Sequence, residues 1–203
     1  MNQGKIREVE DGLAVLPVKF RYLTEFASVS PVAEDGQTYR ENAILKALSY
    51  AKQTGLCALA DDSGLEVDAL GGSPGVFSAR FGGEKVSDGD RMRRLLFELS
   101  EQANQARSAR FICCMALAGW ESSEDLIRGY QPRLLTVTEG RCEGIITPTP
   151  RGSNGFGFDP VFVPIGYQDT FAQLPLEVKA RISHRGHALG EMRRFVSRWL
   201  DIA

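Results

Sequence analysis

The chain has 203 residues, enough to bury a core as one domain spanning residues 1–203 without disulfide or metal staples. Hydrophobic residues make up 43% and charged residues 25%, a globular composition that excludes a disordered chain. Lys plus Arg number 24 against 26 Asp plus Glu, so a net charge of −2 offers no global attraction to nucleic acid or an anionic membrane.

Residues 1–12 are charged and lack the apolar centre of a secretory signal, and no run of apolar residues is long enough for a spanning helix. Near such a terminus, Asn2, Gly4 and Lys5 read either as a disordered end or as an amide, a turn and a phosphate-seeking charge. The spacing of Ile44, Ala47, Leu48 and Ala51 predicts a helix over residues 39–53, with Thr38 as its cap, Glu41 three residues on and Gly55 as its stop. A strand is expected at 57–60, a turn at Asp61-Asp62-Ser63-Gly64, and a half-buried strand at 65–69. Residues 71–75 read as a loop, and 90–102 as a helix with Met92, Leu95, Leu96 and Leu99 inside.

Residues 110–118 and 134–146 are β-like, separated by a polar excursion at 121–132. A glycine-rich loop at 151–158 precedes a short strand at 161–163, Pro175 opens a brief helix, and Ser183 caps a last helix to residue 200. In that helix Leu189, Met192, Phe195, Val196 and Trp199 are expected inside. Interspersed strands and helices give an α/β class with a mixed sheet. Cys57, Cys113, Cys114 and Cys142 lack CxxC spacing and sit in apolar stretches, so they read as buried thiols of a reducing, cytoplasmic compartment.

Four places could carry chemistry. Asp61 and Asp62 read as an Asx turn, or as carboxylates for Mg²⁺ and an attacking water. Glu41 reads as a capping-box residue, or as a second acid for the same metal. In Gly152-Ser153-Asn154-Gly155-Phe156-Gly157-Phe158-Asp159 the glycines permit close ligand approach and Phe156 offers a stacking plate; a plain turn with two core phenylalanines fits equally. Ser183-His184-Arg185 places donors at a helix start, with Lys179 one turn before. A serine hydrolase built on Ser63 or Ser183 with His184 or His187 lacks the GxSxG elbow.

Taken in order, these segments resemble the inosine triphosphate pyrophosphatase (Ham1-like) family. The matching text is Glu41-Asn42-Ala43 with Lys46-Ala47, Ala60-Asp61-Asp62-Ser63-Gly64-Leu65, and Gly71-Gly72-x-Pro74-Gly75 with Ser78-Ala79-Arg80. Gly155-Phe156-Gly157-Phe158-Asp159-Pro160 and Ser183-His184-Arg185-x-x-Ala188 follow.

The resemblance implies an elongated α/β protein, two lobes around a long mixed sheet and a central cleft, forming a homodimer. It implies Mg²⁺-dependent hydrolysis of deaminated purine nucleoside triphosphates (ITP, dITP, XTP) to monophosphate and pyrophosphate, cleansing the nucleotide pool. Asp62 would be the general base and a metal ligand, with Glu41 a second ligand. Substrate would meet Asn2, Lys5, Ser63, Phe156, Gly157, Phe158, Asp159, Lys179, His184 and Arg185. Of these, Lys5 would hold phosphates, Phe156 would stack on the purine, and Asp159, His184 and Arg185 would read its edge. The acids Glu41 and Asp62 would face the start of the last helix across one groove.

One departure stands out. The family begins with an apolar strand running into Thr/Ser-x-Asn-x-x-Lys, whereas here the text opens at Met1-Asn2-Gln3-Gly4-Lys5. The expectation is exposed sheet edge, an unanchored Lys5, weaker phosphate binding and lower stability. A nucleotide-binding module without turnover is the alternative reading.

Overall fold

The computed structural model describes residues 2–83, 86–102 and 106–201. Its first element is a helix, α1 (Gln3–Leu13), where Asn2 caps by accepting from the amides of Gly4 and Lys5. Asn2, Gly4 and Lys5 therefore belong to a capped helix. α2 (Tyr39–Thr54) follows the expected boundaries closely. Thr38 and Glu41 form a reciprocal capping box, and Gly55 takes the left-handed conformation (φ 67°) that ends the helix.

The first strand corrects the expected turn. β1 (Ala58–Val67) runs unbroken through Asp61-Asp62-Ser63-Gly64. Turn-forming residues are overridden because each pairs with a neighbour: Asp61 lies opposite Met115, Asp62 opposite Cys114 and Ser63 opposite Cys113. After α3 (Asp88–Ser100) come β2 (Ser108–Gly119), the short α4 (Ser123–Ile127) in the polar excursion, and β3 (Arg133–Ile146) as one strand. β4 (Phe162–Pro164), α5 (Leu176–Ile182) and α6 (His184–Trp199) complete the order.

The α/β class holds, with helices on both faces. The sheet, expected to be mixed, is antiparallel at every pairing among the described residues, in the order β1-β2-β3-β4 with β1 at one edge. Strand alternation sorts its core. Ile112, Cys114, Ala116 and Ala118 pack against Ala43, Ala47 and Ala51 of α2. The odd-numbered Cys113, Met115 and Leu117 pack on the other face, against Leu13 of α1 and Leu189, Met192 and Val196 of α6. Further along that second face, Leu65, Val67 and Phe111 join Leu95, Leu99, Phe158, Phe162 and Phe171 in another cluster. Of the residues expected inside α6, Trp199 is exposed. Three cysteines are buried thiols; Cys57 is exposed, correcting the expectation for that one.

Candidate active site

Because β1 is extended, consecutive side chains leave it on opposite faces. Asp62 points to α2, whose Asn42 and Lys46 lie one turn apart on the helix's buried side. Asn42 Nδ2 donates to Asp62 Oδ2 and Lys46 Nζ to Oδ1, both at 3.1 Å. Lys46 Nζ also lies 3.4 Å from Glu34 Oε1, so Glu34 and Asp62 share one ammonium. Burial raises the pKa of Asp62, and the Lys46 charge offsets only part of that. The carboxylate is thus more basic than an ordinary aspartate.

Asp61 points the other way. Its Oδ2 accepts from Lys5 Nζ at 2.8 Å and lies 3.4 Å from Arg185 Nη2, which also donates to Ser63 Oγ at 2.9 Å. Burial alone would raise this pKa as well, but the charges of Lys5 and Arg185 reverse the direction and hold it well below the usual carboxylate range. Lys5 is therefore anchored, contrary to the expectation. Its charge also lowers the pKa of Asp62, and that of Asp61 raises the pKa of Lys46, so the two faces interact across the strand.

The network continues along α1 and α5. Arg185 Nη1 donates to Glu8 Oε2, and Glu8 Oε1 lies 2.9 Å from Lys179 Nζ. Lys179 in turn donates to Asp159 Oδ2 at 2.6 Å. Lys179 is buried. The pairing raises its pKa against the opposing effect of burial, so it stays an ammonium. Lys179 Nζ sits 5.0 Å and the Arg185 guanidinium carbon 5.7 Å from the ring centre of Phe156. The edge of that ring lies against Gly4, where a Cβ would overlap it.

The Ham1 family's sequence pattern matches residues 1–195. The chain belongs to the Ham1 family. A relative from Syntrophobacter fumaroxidans named dITP/XTP pyrophosphatase is 45% identical over 203 residues, 98% of this chain and 82% of the relative. A Thermus thermophilus protein of the same name is 47% identical over 188 residues, covering 93% and 84%. Among solved structures, a HAM1 protein from Coxiella burnetii superposes with a TM-score of 0.84 at 42% identity, covering 98% of this chain and 95% of that one. The Staphylococcus aureus Ham1 protein gives 0.80 at 36% identity, covering 97% and 95%.

Within this Ham1 chain, several expected site residues are placed differently from the sequence reading. Glu41 Oε2 accepts from the amides of Gln37 (2.7 Å) and Thr38 (3.3 Å), so its carboxylate is engaged in capping. Glu34 is the acid that meets Lys46 beside Asp62. Phe158 is a core residue, 6.4 Å edge-on from Phe81. Asn2 is exposed, and its side-chain oxygen serves the α1 cap. Asp159 is 3% exposed and accepts from Lys179 and the Phe156 amide, while Arg185 is 2% exposed and bound to carboxylates.

His184 stacks on Phe111 with ring centres 4.7 Å apart, and its buried Nδ1 has no protein partner. Burial, with the charges of Arg185 and Lys179, lowers its pKa well below the ordinary value, so the ring is neutral. Asp62 thus lies with α2 on one face of β1, while the α6 start lies with Asp61 and Lys5 on the other.

Lys46, Glu34 and Glu8 are the functional candidates that sequence reasoning missed. For Lys46 a signal existed: Asn42, Ala43, Lys46 and Ala47 trace one helical face, and a lysine among core alanines needs a partner. Glu8 lies three residues from Lys5 in α1, a spacing that looks like ordinary helix surface. Groups of three or more His, Cys, Asp or Glu side chains arranged for a metal are absent among the described residues. Helices long and apolar enough to cross a membrane are also absent there.

Proposed function

We propose that this chain hydrolyses deaminated purine nucleoside triphosphates (dITP, XTP and ITP) to the monophosphate and pyrophosphate. The observation that carries this reading is the contrast between adjacent carboxylates: Asp61 is paired with the two cations Lys5 and Arg185 on one face of β1, while Asp62 meets Asn42 and Lys46 on the other and is made more basic by burial. Of the two, Asp62 is the better proton acceptor. The names of the relatives support the substrate class.

In the proposed reaction a water oxygen attacks the α-phosphorus, its proton passes to Asp62, and the α–β anhydride bond breaks to release pyrophosphate. Lys5 and Lys46, from opposite faces of β1, offset charge on the phosphates.

Two carboxylates already sharing one cation, Asp62 and Glu34, fit a Mg²⁺ ion whose other ligands are phosphate and water. They are proposed as its ligands in place of the Glu41 and Asp62 pair. Bound there, the metal would supply charge neutralisation at the phosphates.

At the other end Phe156 is proposed to stack on the purine, with Lys179 and Arg185 behind it. The 6-keto group of hypoxanthine or xanthine would accept from His184, whereas the 6-amino group of adenine would leave donors facing each other. Such a mismatch costs roughly 1–3 kcal/mol, about ten- to a hundredfold in rejecting ATP. Homodimer formation is likewise proposed, on the resemblance alone.

The test is product analysis with Mg²⁺ present. Release of pyrophosphate, rather than orthophosphate, from ITP and XTP with ATP at least tenfold slower is the expected result. Binding of ITP without turnover would instead establish a nucleotide-binding module.

A further inference from the structure

We propose that Asp88, the first residue of α3, is a positioning residue for the aromatic plate that stacks the purine; this rests on the role of Phe156 given above. The amides on either side of that ring are held by two different carboxylates. Phe156 N donates to Asp159 Oδ2 and Gly157 N donates to Asp88 Oδ2, each at 2.9 Å. Fixing two successive peptide planes fixes the direction of the intervening Cα–Cβ bond, and with it the aim of the ring.

Both carboxylates are themselves braced. Asp159 is tied to Lys179, and Asp88 Oδ1 receives Arg91 Nη1 at 2.7 Å. Gly157 is left-handed (φ 61°), so its amide is turned out of any regular ladder and needs an acceptor from elsewhere. Phe81 packs edge-on against Phe158 of this loop.

An aspartate in a first helical turn has an ordinary explanation, interaction with the helix dipole. Here Ser87 already caps α3 by accepting from Asp90 N at 3.1 Å. A dipole contact would also be indifferent to which way the carboxylate points. The Asp88 oxygen instead reaches a backbone amide 69 residues away. It acts on the base through Phe156 and not on the phosphates, so its loss should weaken nucleotide binding without slowing the chemical step.

The experiment is steady-state ITP hydrolysis with Mg²⁺ by wild type, Asp88→Ala, Asp88→Glu and Asp88→Asn, with inorganic tripolyphosphate as a competitive inhibitor that has phosphates but no base. Asp88→Ala and Asp88→Glu, the latter keeping the charge but displacing the acceptor by a methylene, should raise KM about three- to tenfold with kcat within about twofold. Asp88→Asn, whose side-chain carbonyl can accept the same bond, should restore KM to within about twofold. The inhibition constant of tripolyphosphate should not move in any variant.

An unchanged KM in both loss variants would overturn the proposal, as would a wild-type KM in Asp88→Glu alone, which would leave only the dipole. A parallel rise in the tripolyphosphate constant would overturn it too, by showing a general loosening. Wild type that fails to hydrolyse ITP would defeat the underlying reading instead, before any variant is compared.

Discussion

Asp61 and Asp62 are the same side chain one peptide apart, and what each face of β1 supplies drives them to opposite proton affinities. Two cations hold Asp61 as an anion; at Asp62 burial outweighs Lys46, the Asn42 amide and the more distant Lys5. A base must be unprotonated to act, so kcat/KM should rise with pH through the pKa of Asp62 and level off above it. Lys46 is the main force holding that pKa down. Lys46→Met should therefore move the rising limb of the pH–rate profile to higher pH, besides weakening phosphate binding. A limb that stays in place, or shifts toward acid, would remove Asp62 from the role.

Among the elements, the packing of α6 on the sheet depends on one missing side chain. A Cβ at Gly140 of β3 would overlap the His184 carbonyl and lie 2.6 Å from Ala188 N. These are backbone atoms and cannot swing aside. Gly140→Ala should cost about 1–3 kcal/mol, lowering Tm by several degrees, and should loosen the helix start that carries His184 and Arg185. Thermal melting measures the first effect and nucleotide affinity the second; an unchanged Tm would mean that α6 is not seated as closely as the structure has it.

Elements whose signals are local were legible beforehand. The limits of α2 follow from Thr38, Glu41 and Gly55, and the cap of α6 from Ser183, because each cap acts within a few residues. β1 was not legible across Asp61-Asp62-Ser63-Gly64, since the force that straightens it is cross-strand pairing with residues about fifty positions later. The same misreading hid the division of the two aspartates between faces. Lys5, Arg185 and Asp61 could each be nominated from the sequence, but their pairing could not, since the Asp61 contact spans 124 residues from Arg185.

For the whole molecule, the ion-pair chain lies where two apolar clusters meet on one face of the sheet, with His184 stacked on Phe111 at that seam. Three of its groups, Glu8, Asp61 and His184, make stability fall on acidification, while Asp159, whose pKa burial raises, acts in the opposite sense. Glu8 and Asp61 have folded pKa values below ordinary ones, so their contribution is present above the usual carboxylate range, about pH 4, and is lost as pH falls through it. His184 is depressed too; its contribution is present above its unfolded pKa, about 6.5, and is lost as pH falls below that value. Urea melts should show stability declining in two stages on acidification, first near pH 6 to 6.5 and then below about pH 4. A flat profile down to the carboxylate range would mean that His184 is not held neutral.

The central claim is that Asp62 deprotonates the attacking water on a nucleotide gripped from both faces of β1. Its most direct test is ITP turnover by Asp62→Asn compared with equilibrium binding of ITP by the same variant. Pyrophosphate release should fall by at least about a hundredfold while the nucleotide is still bound. Turnover that survives the substitution at near wild-type rate would contradict the account.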